Sequence, residues 1–346
     1  MTAPQWTSAV LGTPLAAGRL RCDLCPHACE LDPGEAGLCA VRRNHDGELQ
    51  TATFAAAVRH DDAVERKPFY HVLPGTRVHT LGAPGCSFRC NYCINHKLSQ
   101  YGRTPEVRWA GDPVDVAEVV GAAAAAGASV GLSYAEPGLA PELTLALAER
   151  AAPLGVPILW KSNGFLTPAA IDLVAPHLFA VNIDVKAADD RSHRKLTGAP
   201  VGPVLDAIER FRAAGVWVEV CTPIIPGISD TPAALGAIAG RLASMDQQMP
   251  WHLLRFTPDF RMRRHPPTSP AGLLAAATIG YEKGLAFVYV ERALGPDYRN
   301  SRCRKCGAVL IERGIWSTIT NSISDGRCSI CDTSVPGRWV VPGVRA

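Results

Sequence analysis

Gly85-Cys86-Ser87-Phe88-Arg89-Cys90-Asn91-Tyr92-Cys93 decides how the rest of this chain is read. Thiolates at this spacing can hold three irons of a cubane [4Fe–4S] cluster, whereas a closed cluster takes four cysteines. The fourth iron is then open to a substrate or cofactor. Gly85 suits a loop that wraps closely around such a cluster. The same thiols could form a zinc loop, which would need a fourth ligand such as His96.

Working outward, the loop follows an apolar run, Arg77–Gly82, and from there short apolar runs alternate with Ala-rich helical stretches. The expected strands are Arg77–Gly82, Ala128–Tyr134, Pro157–Ser162, Phe179–Lys186, Val216–Pro223 and Trp251–Thr257. The expected helices are Pro113–Ala126, Pro141–Ala152, Pro168–Val174, Val201–Ala214 and Pro232–Ala243. Prolines near the helix starts and Gly127, Gly155 and Gly215 past the ends punctuate the repeat. Strands separated by helices of this length mean βα units and a parallel sheet. Six units are too few for an eight-stranded barrel. The expectation is an α/β fold, a partial (β/α)6 barrel, with a further helix Pro270–Lys283 and strand Ala286–Val290 closing one side.

Loops at the carboxyl ends of such strands surround one cavity. The first carries the three cysteines. The next strands end in Ser133-Tyr134-Ala135-Glu136-Pro137, Lys161-Ser162-Asn163-Gly164, Asn182-Ile183-Asp184-Val185-Lys186 and Cys221-Thr222-Pro223, and the sixth begins Trp251-His252. Polar groups therefore gather at one end of successive strands, which places a site there.

Cys-x3-Cys-x2-Cys with an aromatic residue before the last cysteine resembles the signature of radical S-adenosylmethionine (radical SAM) enzymes. The chain as a whole resembles the radical SAM enzyme of the AmmeMemoRadiSam system, near the pyruvate formate-lyase activating enzymes. The likeness runs through Cys-x2-Cys-Pro at Cys22, Lys67-Pro68-Phe69-Tyr70-His71, the cysteine loop, the Tyr-x-Glu-Pro turn at Tyr134, Ser162-Asn163-Gly164, Asp184-x-Lys186, Pro250-Trp251-His252 and the carboxy-terminal Cys-x2-Cys pairs. It implies that S-adenosylmethionine binds the open iron of a [4Fe–4S] cluster on Cys86, Cys90 and Cys93. Its reductive cleavage then yields a 5′-deoxyadenosyl radical that takes hydrogen from a substrate. It also implies roles in holding that cofactor. Glu136 or Asp184 would accept from the amino group, Lys186 would pair with the carboxylate, and Asn163 would meet methionyl or ribose groups. His252 would lie near the ribose and Tyr92 against adenine. An electron donor such as flavodoxin or ferredoxin is implied as well. Where the activases read Asp-Thr-Asn-Gly, this chain has Lys161-Ser162-Asn163-Gly164, so no monovalent cation is expected there. Their Gln-Asn after the third cysteine is Ile94-Asn95 here.

Two further cysteine groups flank the core. Cys22/Cys25/Cys29/Cys39 supply four thiolates, enough for an auxiliary [4Fe–4S] cluster, with zinc as the alternative. Cys303/Cys306/Cys328/Cys331 read as two knuckles of a rubredoxin or zinc-ribbon-like unit holding Zn²⁺ or iron. The expected organisation is an N-terminal extension over 1–75, the core over 76–296 and the small metal-binding unit over 297–346.

The twelve cysteines of this 346-residue chain thus point to metal centres in a reducing, cytoplasmic setting, with Cys221 a lone buried thiol. No apolar run approaches a membrane span, and Ala9–Gly18 is a poor signal peptide. A net charge of +3 argues against nucleic acid. The basic cluster Arg261-Met262-Arg263-Arg264 could hold a phosphorylated nucleoside. The expected substrate is a small molecule or nucleotide-like metabolite. The alternatives are an activase that makes a glycyl radical on a partner protein and a zinc-dependent binding module without catalysis.

Overall fold

The computed structural model describes residues 3–341 apart from 105, 291 and 293. Its centre is an eight-stranded sheet whose spatial order is the chain order: β1 (Val58–Ala63), β2 (Arg77–Gly82), β3 (Ser129–Leu132), β4 (Ile158–Ser162), β5 (Ala180–Asp184), β6 (Trp217–Ile224), β7 (Trp251–Arg255) and β8 (Val288–Val290). Every neighbouring pair from β2 to β8 is parallel. Strand β1 runs antiparallel to β2 over Val58↔Gly82 to Ala63↔Arg77. The last part of the N-terminal extension therefore belongs to the core sheet. The sequence hid it because Arg59, His60 and Asp61 are exposed on this edge strand, leaving no apolar run.

The crossovers are α1 (Val116–Ala125), α2 (Pro141–Ala151), α3 (Pro168–Val174), α4 (Asp190–Thr197), α5 (Gly202–Ala213), α6 (Pro232–Met245) and α7 (Pro270–Glu282). Thr167, Thr231 and Ser269 each cap a helix whose next residue is proline, and their hydroxyls accept from Ala170, Ala234 and Gly272 N–H. Each such cap stabilises a helix end by about 1 kcal/mol. Helix α4 was not expected, because its eight residues, Asp-Arg-Ser-His-Arg-Lys-Leu-Thr, lack an apolar stripe. Asp189 caps it and Gly198, at φ 86°, ends it.

The barrel floor is filled by the segment 64–75. Glu219, fully buried on β6, accepts hydrogen bonds from the backbone N–H of Tyr70 (3.0 Å) and His71 (2.8 Å), from Trp217 Nε1 (3.1 Å) and from His252 Nε2 (2.6 Å). Asn182 Nδ2 donates to the Pro68 carbonyl at 2.6 Å. From the C-terminal unit, buried Arg313 donates to the Tyr70 carbonyl at 2.5 Å and stacks over the Tyr70 ring at 4.3 Å. Residues 301–302, 309–313 and 318–321 form that unit's three-stranded sheet.

Candidate active site

A cavity of about 530 Å³ opens at the carboxyl ends of the strands, and Cys86, Cys90, Cys93, Glu136, Asp184 and Lys186 are on its wall. The loop that carries the cysteines is held from three sides. Arg89 and Asn91 N–H donate to the Thr197 and Leu196 carbonyls at the end of α4, at 2.7 and 3.1 Å. Arg103 donates to the carbonyls of Cys86 and Phe88, and through Nε to that of Leu38 at 2.8 Å. Gly85 sits at φ 100°, and a Cβ there would lie 2.8 Å from the Val41 side chain, so only glycine fits. Neither Arg103 nor α4 stood out in the sequence, since a single arginine and a short polar helix carry no motif.

Asn163 turns to the cysteines: its Nδ2 lies 3.6 Å from Cys86 Sγ and 2.9 Å from Ser87 Oγ, while its Oδ1 accepts from Phe165 N–H at 2.9 Å. Ser99 Oγ stands 3.2 Å from Cys93 Sγ. Burial pushes the Cys86 and Cys90 thiols up, Cys90 to about 12, so a positive centre is what would hold them as thiolates. His96 faces the Cys93 carbonyl at 3.1 Å and stacks on Phe260, and so is not placed as a fourth zinc ligand.

Glu136 is engaged by the protein on both oxygens. Oε1 accepts from Gly138 N–H (2.8 Å) and Ser162 Oγ (2.6 Å), and Oε2 accepts from Asn163 N–H (2.7 Å). It thus caps one turn and shapes the next, and complete burial raises its pKa. Asp184 is also engaged on both oxygens, but by ammonium groups, Oδ1 by Lys161 and Oδ2 by Lys186. Burial alone would raise it, but the ammonium groups of Lys161 and Lys186 hold it down at about 2. Lys186 Nζ is 2.7 Å from Asp184 Oδ2, and Lys161 bonds both Asp184 and Asn182. A lysine ammonium therefore stands beside that carboxylate.

Tyr92 lies between cavity and core, with Phe256 packed edge-on to its ring at 6.0 Å and Lys186 Nζ 5.9 Å from the ring centre. Its hydroxyl is buried without a partner among the described residues. Tyr134 takes a left-handed φ of 70°, with its hydroxyl on Asp62 at 3.0 Å and Lys67 Nζ 3.9 Å from its ring. His252, expected near the ribose, is not among the residues on the cavity wall. It is buried on the floor against Glu219, with Tyr70 edge-on at 4.9 Å, because the inserted segment fills the space it faces. Arg261–Arg264 do not line the cavity either; Arg255 and Arg292 do.

The pattern of the radical SAM superfamily matches residues 81–235, the stretch from β2 into α6 that supplies most of this cavity's wall. The uncharacterized protein MJ0808 of Methanocaldococcus jannaschii is 31% identical over 321 residues, covering 92% of this chain and 95% of its own length. The chain belongs to the radical SAM superfamily. The isethionate sulfite-lyase activating enzyme of Oleidesulfovibrio alaskensis is 28% identical over 175 residues, 49% of this chain and 56% of that protein, so the likeness spans about half of each. A solved domain of a pyruvate-formate lyase-activating enzyme from Bacteroides vulgatus matches with 21% identity and a TM-score of 0.42, over 47% of this chain and 98% of that one.

As a radical SAM enzyme the protein binds a [4Fe–4S] cluster and S-adenosylmethionine, which it cleaves reductively to generate a radical. Three sulfurs around a cavity of this size, with the Tyr92 hydroxyl orphaned beside it, suit that pair of groups. No helix among the described residues is long and apolar enough to cross a membrane.

The other cysteine groups differ from each other. The four C-terminal ligand sulfurs lie within 4.8 Å of one another, with Cys303–Cys331 at 3.5 Å and Cys306–Cys328 at 3.7 Å. Bonds of about 2.3 Å from one tetrahedral metal place sulfurs about 3.8 Å apart. Hydrogen bonding to Thr333 lowers the Cys331 thiol, while hydrogen bonds with the other three cysteines raise that of Cys306. Among the described residues Cys22, Cys25, Cys29 and Cys39 are not gathered so tightly. They line a separate hollow with His27, Arg42 and Ser87.

Proposed function

We propose that Cys86, Cys90 and Cys93 hold the cluster with one iron open, and that the enzyme acts on a small-molecule substrate seated in the same cavity. When bound, cluster and S-adenosylmethionine supply a one-electron cleavage and a radical able to abstract hydrogen. The chain's own residues orient and enclose them. Asp184 accepts from the cofactor's amino group, Lys186 pairs with its carboxylate, and the Tyr92 hydroxyl donates to a cofactor acceptor. Asn163 acts on the cluster side, donating toward Cys86 Sγ, and Glu136 holds the turn that places Asn163. The observation that carries this reading is the convergence of three cysteine sulfurs and the Asp184–Lys186 pair on one cavity. On anaerobically reconstituted protein, added S-adenosylmethionine should change the electron paramagnetic resonance of the reduced cluster. Dithionite, or reduced flavodoxin or ferredoxin, should then release 5′-deoxyadenosine. Cys86→Ala should lose both signals; a variant that keeps them would overturn the assignment.

The N-terminal cysteines are assigned an auxiliary [4Fe–4S] cluster and the C-terminal ones a structural Zn²⁺. Support comes from the wider N-terminal arrangement beside the tight C-terminal tetrad. The auxiliary centre also adjoins the first, because His27 Nε2 meets the Ser87 carbonyl at 2.9 Å and Arg103 bridges both loops. The assignment predicts ~8 irons and one zinc per chain. About four irons and two zincs would refute the auxiliary cluster.

A second reading is favoured by the relatives named as activating enzymes: the substrate is then a glycine of a partner protein. Deuterium moving from a labelled small molecule into 5′-deoxyadenosine would decide for the first reading. A glycyl radical appearing on a partner would decide for the second.

A further inference from the structure

A buried donor left over by the protein's own bonds points to what a site holds. Arg42 leaves one at the N-terminal cysteine hollow. It opens the strand Arg42–His45, is 1% exposed, and its guanidinium is clamped at one end. Nη1 donates to Glu142 Oε1 (2.9 Å) and Oε2 (3.2 Å) in the first turn of α2, and Nη2 donates to the Val10 carbonyl. Glu142 is fixed in turn, because its Oε1 also accepts from Val10 N–H at 2.8 Å. Nε is the donor that remains, buried and without a partner among the described residues. An arginine does not shed its charge, so a buried N–H of this kind calls for an acceptor.

Arg42 lines the hollow together with Cys22, Cys25, Cys29 and Cys39, and no carboxylate shares that wall. The acceptor therefore comes from what the cysteines hold. No cysteine sulfur is within hydrogen-bond reach of Nε. This separates the two centres that four thiolates can close. A tetrahedral Zn²⁺ brings no acceptor beyond those four sulfurs. A [4Fe–4S] cube brings sulfides of its own, which accept hydrogen bonds and whose negative charge suits a guanidinium.

We propose that Arg42 Nε donates to a sulfide of the N-terminal cluster, which makes Arg42 a positioning residue that raises this centre's reduction potential. Four thiolates leave no iron open there, so what Arg42 tunes is electron uptake and not substrate binding. This rests on the N-terminal cysteines holding a cluster, as proposed above.

The test is redox titration of the reconstituted full chain followed by electron paramagnetic resonance, with the cavity cluster told apart by its response to S-adenosylmethionine. Arg42→Lys keeps a cation beside Glu142 but has no N–H at the Nε position. It should retain the wild-type iron content while the one-electron equilibrium of the S-adenosylmethionine-insensitive cluster shifts toward the oxidised form by about tenfold, a midpoint ~59 mV lower. Glu142→Gln, which leaves Nε in place, should lower the thermal midpoint of the chain without that fall in potential. An unchanged midpoint in Arg42→Lys overturns the role, and so does an equal fall in Glu142→Gln, which would mark a merely structural effect. Should Arg42→Lys fail to assemble the second cluster, the wild type decides. Grown with isotopically labelled arginine, its insensitive cluster should show coupling to the labelled nitrogen in pulsed electron paramagnetic resonance, and absence of that coupling overturns the contact. Failure of the underlying reading looks different: wild type would then carry about four irons and no S-adenosylmethionine-insensitive signal.

Discussion

Asn163 is placed to act on the proposed cluster without binding it. Its amide nitrogen, 3.6 Å from Cys86 Sγ, is placed to draw electron density from that sulfur, and hydrogen bonds to cluster sulfurs raise reduction potentials. Asn163→Leu, similar in shape, should let the cluster assemble but lower its midpoint by tens of millivolts, on the order of a single lost hydrogen bond. Redox titration followed by electron paramagnetic resonance checks it; an unchanged midpoint refutes it. The place of Asn163 on the cavity wall was legible from Ser162-Asn163-Gly164 at a strand end. Its partner was not, because the Cys86 contact spans 77 positions and depends on Glu136 fixing the turn. The burial of His252 behind the cavity was not legible for a related reason. Position on a strand says which end of the barrel a residue is near, but not what already occupies the space in front of it.

At the scale of elements, the strand-helix alternation made the parallel core readable, since every βα unit announces itself within its own thirty or so residues. The floor segment 64–75 could not be read that way: its partners are Glu219, Asn182 and Arg313, far along the chain. Glu219 is its anchor, held as a carboxylate below its ordinary pKa although burial alone would raise it, because His252 and backbone N–H groups donate to it. Glu219→Ala would orphan several buried N–H donors and should cost about 3–5 kcal/mol in unfolding free energy, measured by urea titration of the reconstituted protein. His71, in the same segment, is buried with Nδ1 on the Pro336 carbonyl and Nε2 on the Tyr289 hydroxyl, both at 2.7 Å. Burial lowers its pKa from 6.5 to about 4. The unfolded chain therefore takes up the proton first as pH falls. The neutral ring's contribution is complete above pH ~6.5 and is lost progressively toward pH 4, a change on the order of 3 kcal/mol. Stability measured at pH 7.5 and pH 5 should fall in wild type and fall less in His71→Gln. Equal slopes would show that His71 does not carry the dependence.

For the whole molecule, the C-terminal unit is where the proposed zinc site meets barrel stability. Its own core is Leu310, Ile311, Val335 and two of the cysteines, too little apolar surface for so small a unit to hold its shape unaided. Yet it reaches far into the barrel. Arg313 grips the floor segment, the Pro336 carbonyl accepts from His71, the Arg338 carbonyl accepts from Leu73 N–H at 2.8 Å, and the Trp316 ring lies under the Arg66 guanidinium at 5.0 Å. Loss of the metal at Cys303/Cys306/Cys328/Cys331 should therefore not release an independent appendage. It should loosen the floor as well, and Cys306→Ser should lower the thermal midpoint of the whole chain in one transition. In differential scanning calorimetry, a variant that keeps the barrel transition at the wild-type temperature and loses only a small separate peak would show that the unit rides on the barrel without supporting it. Its zinc content, measured on the same sample, separates that outcome from a tetrad that three remaining thiolates still fill.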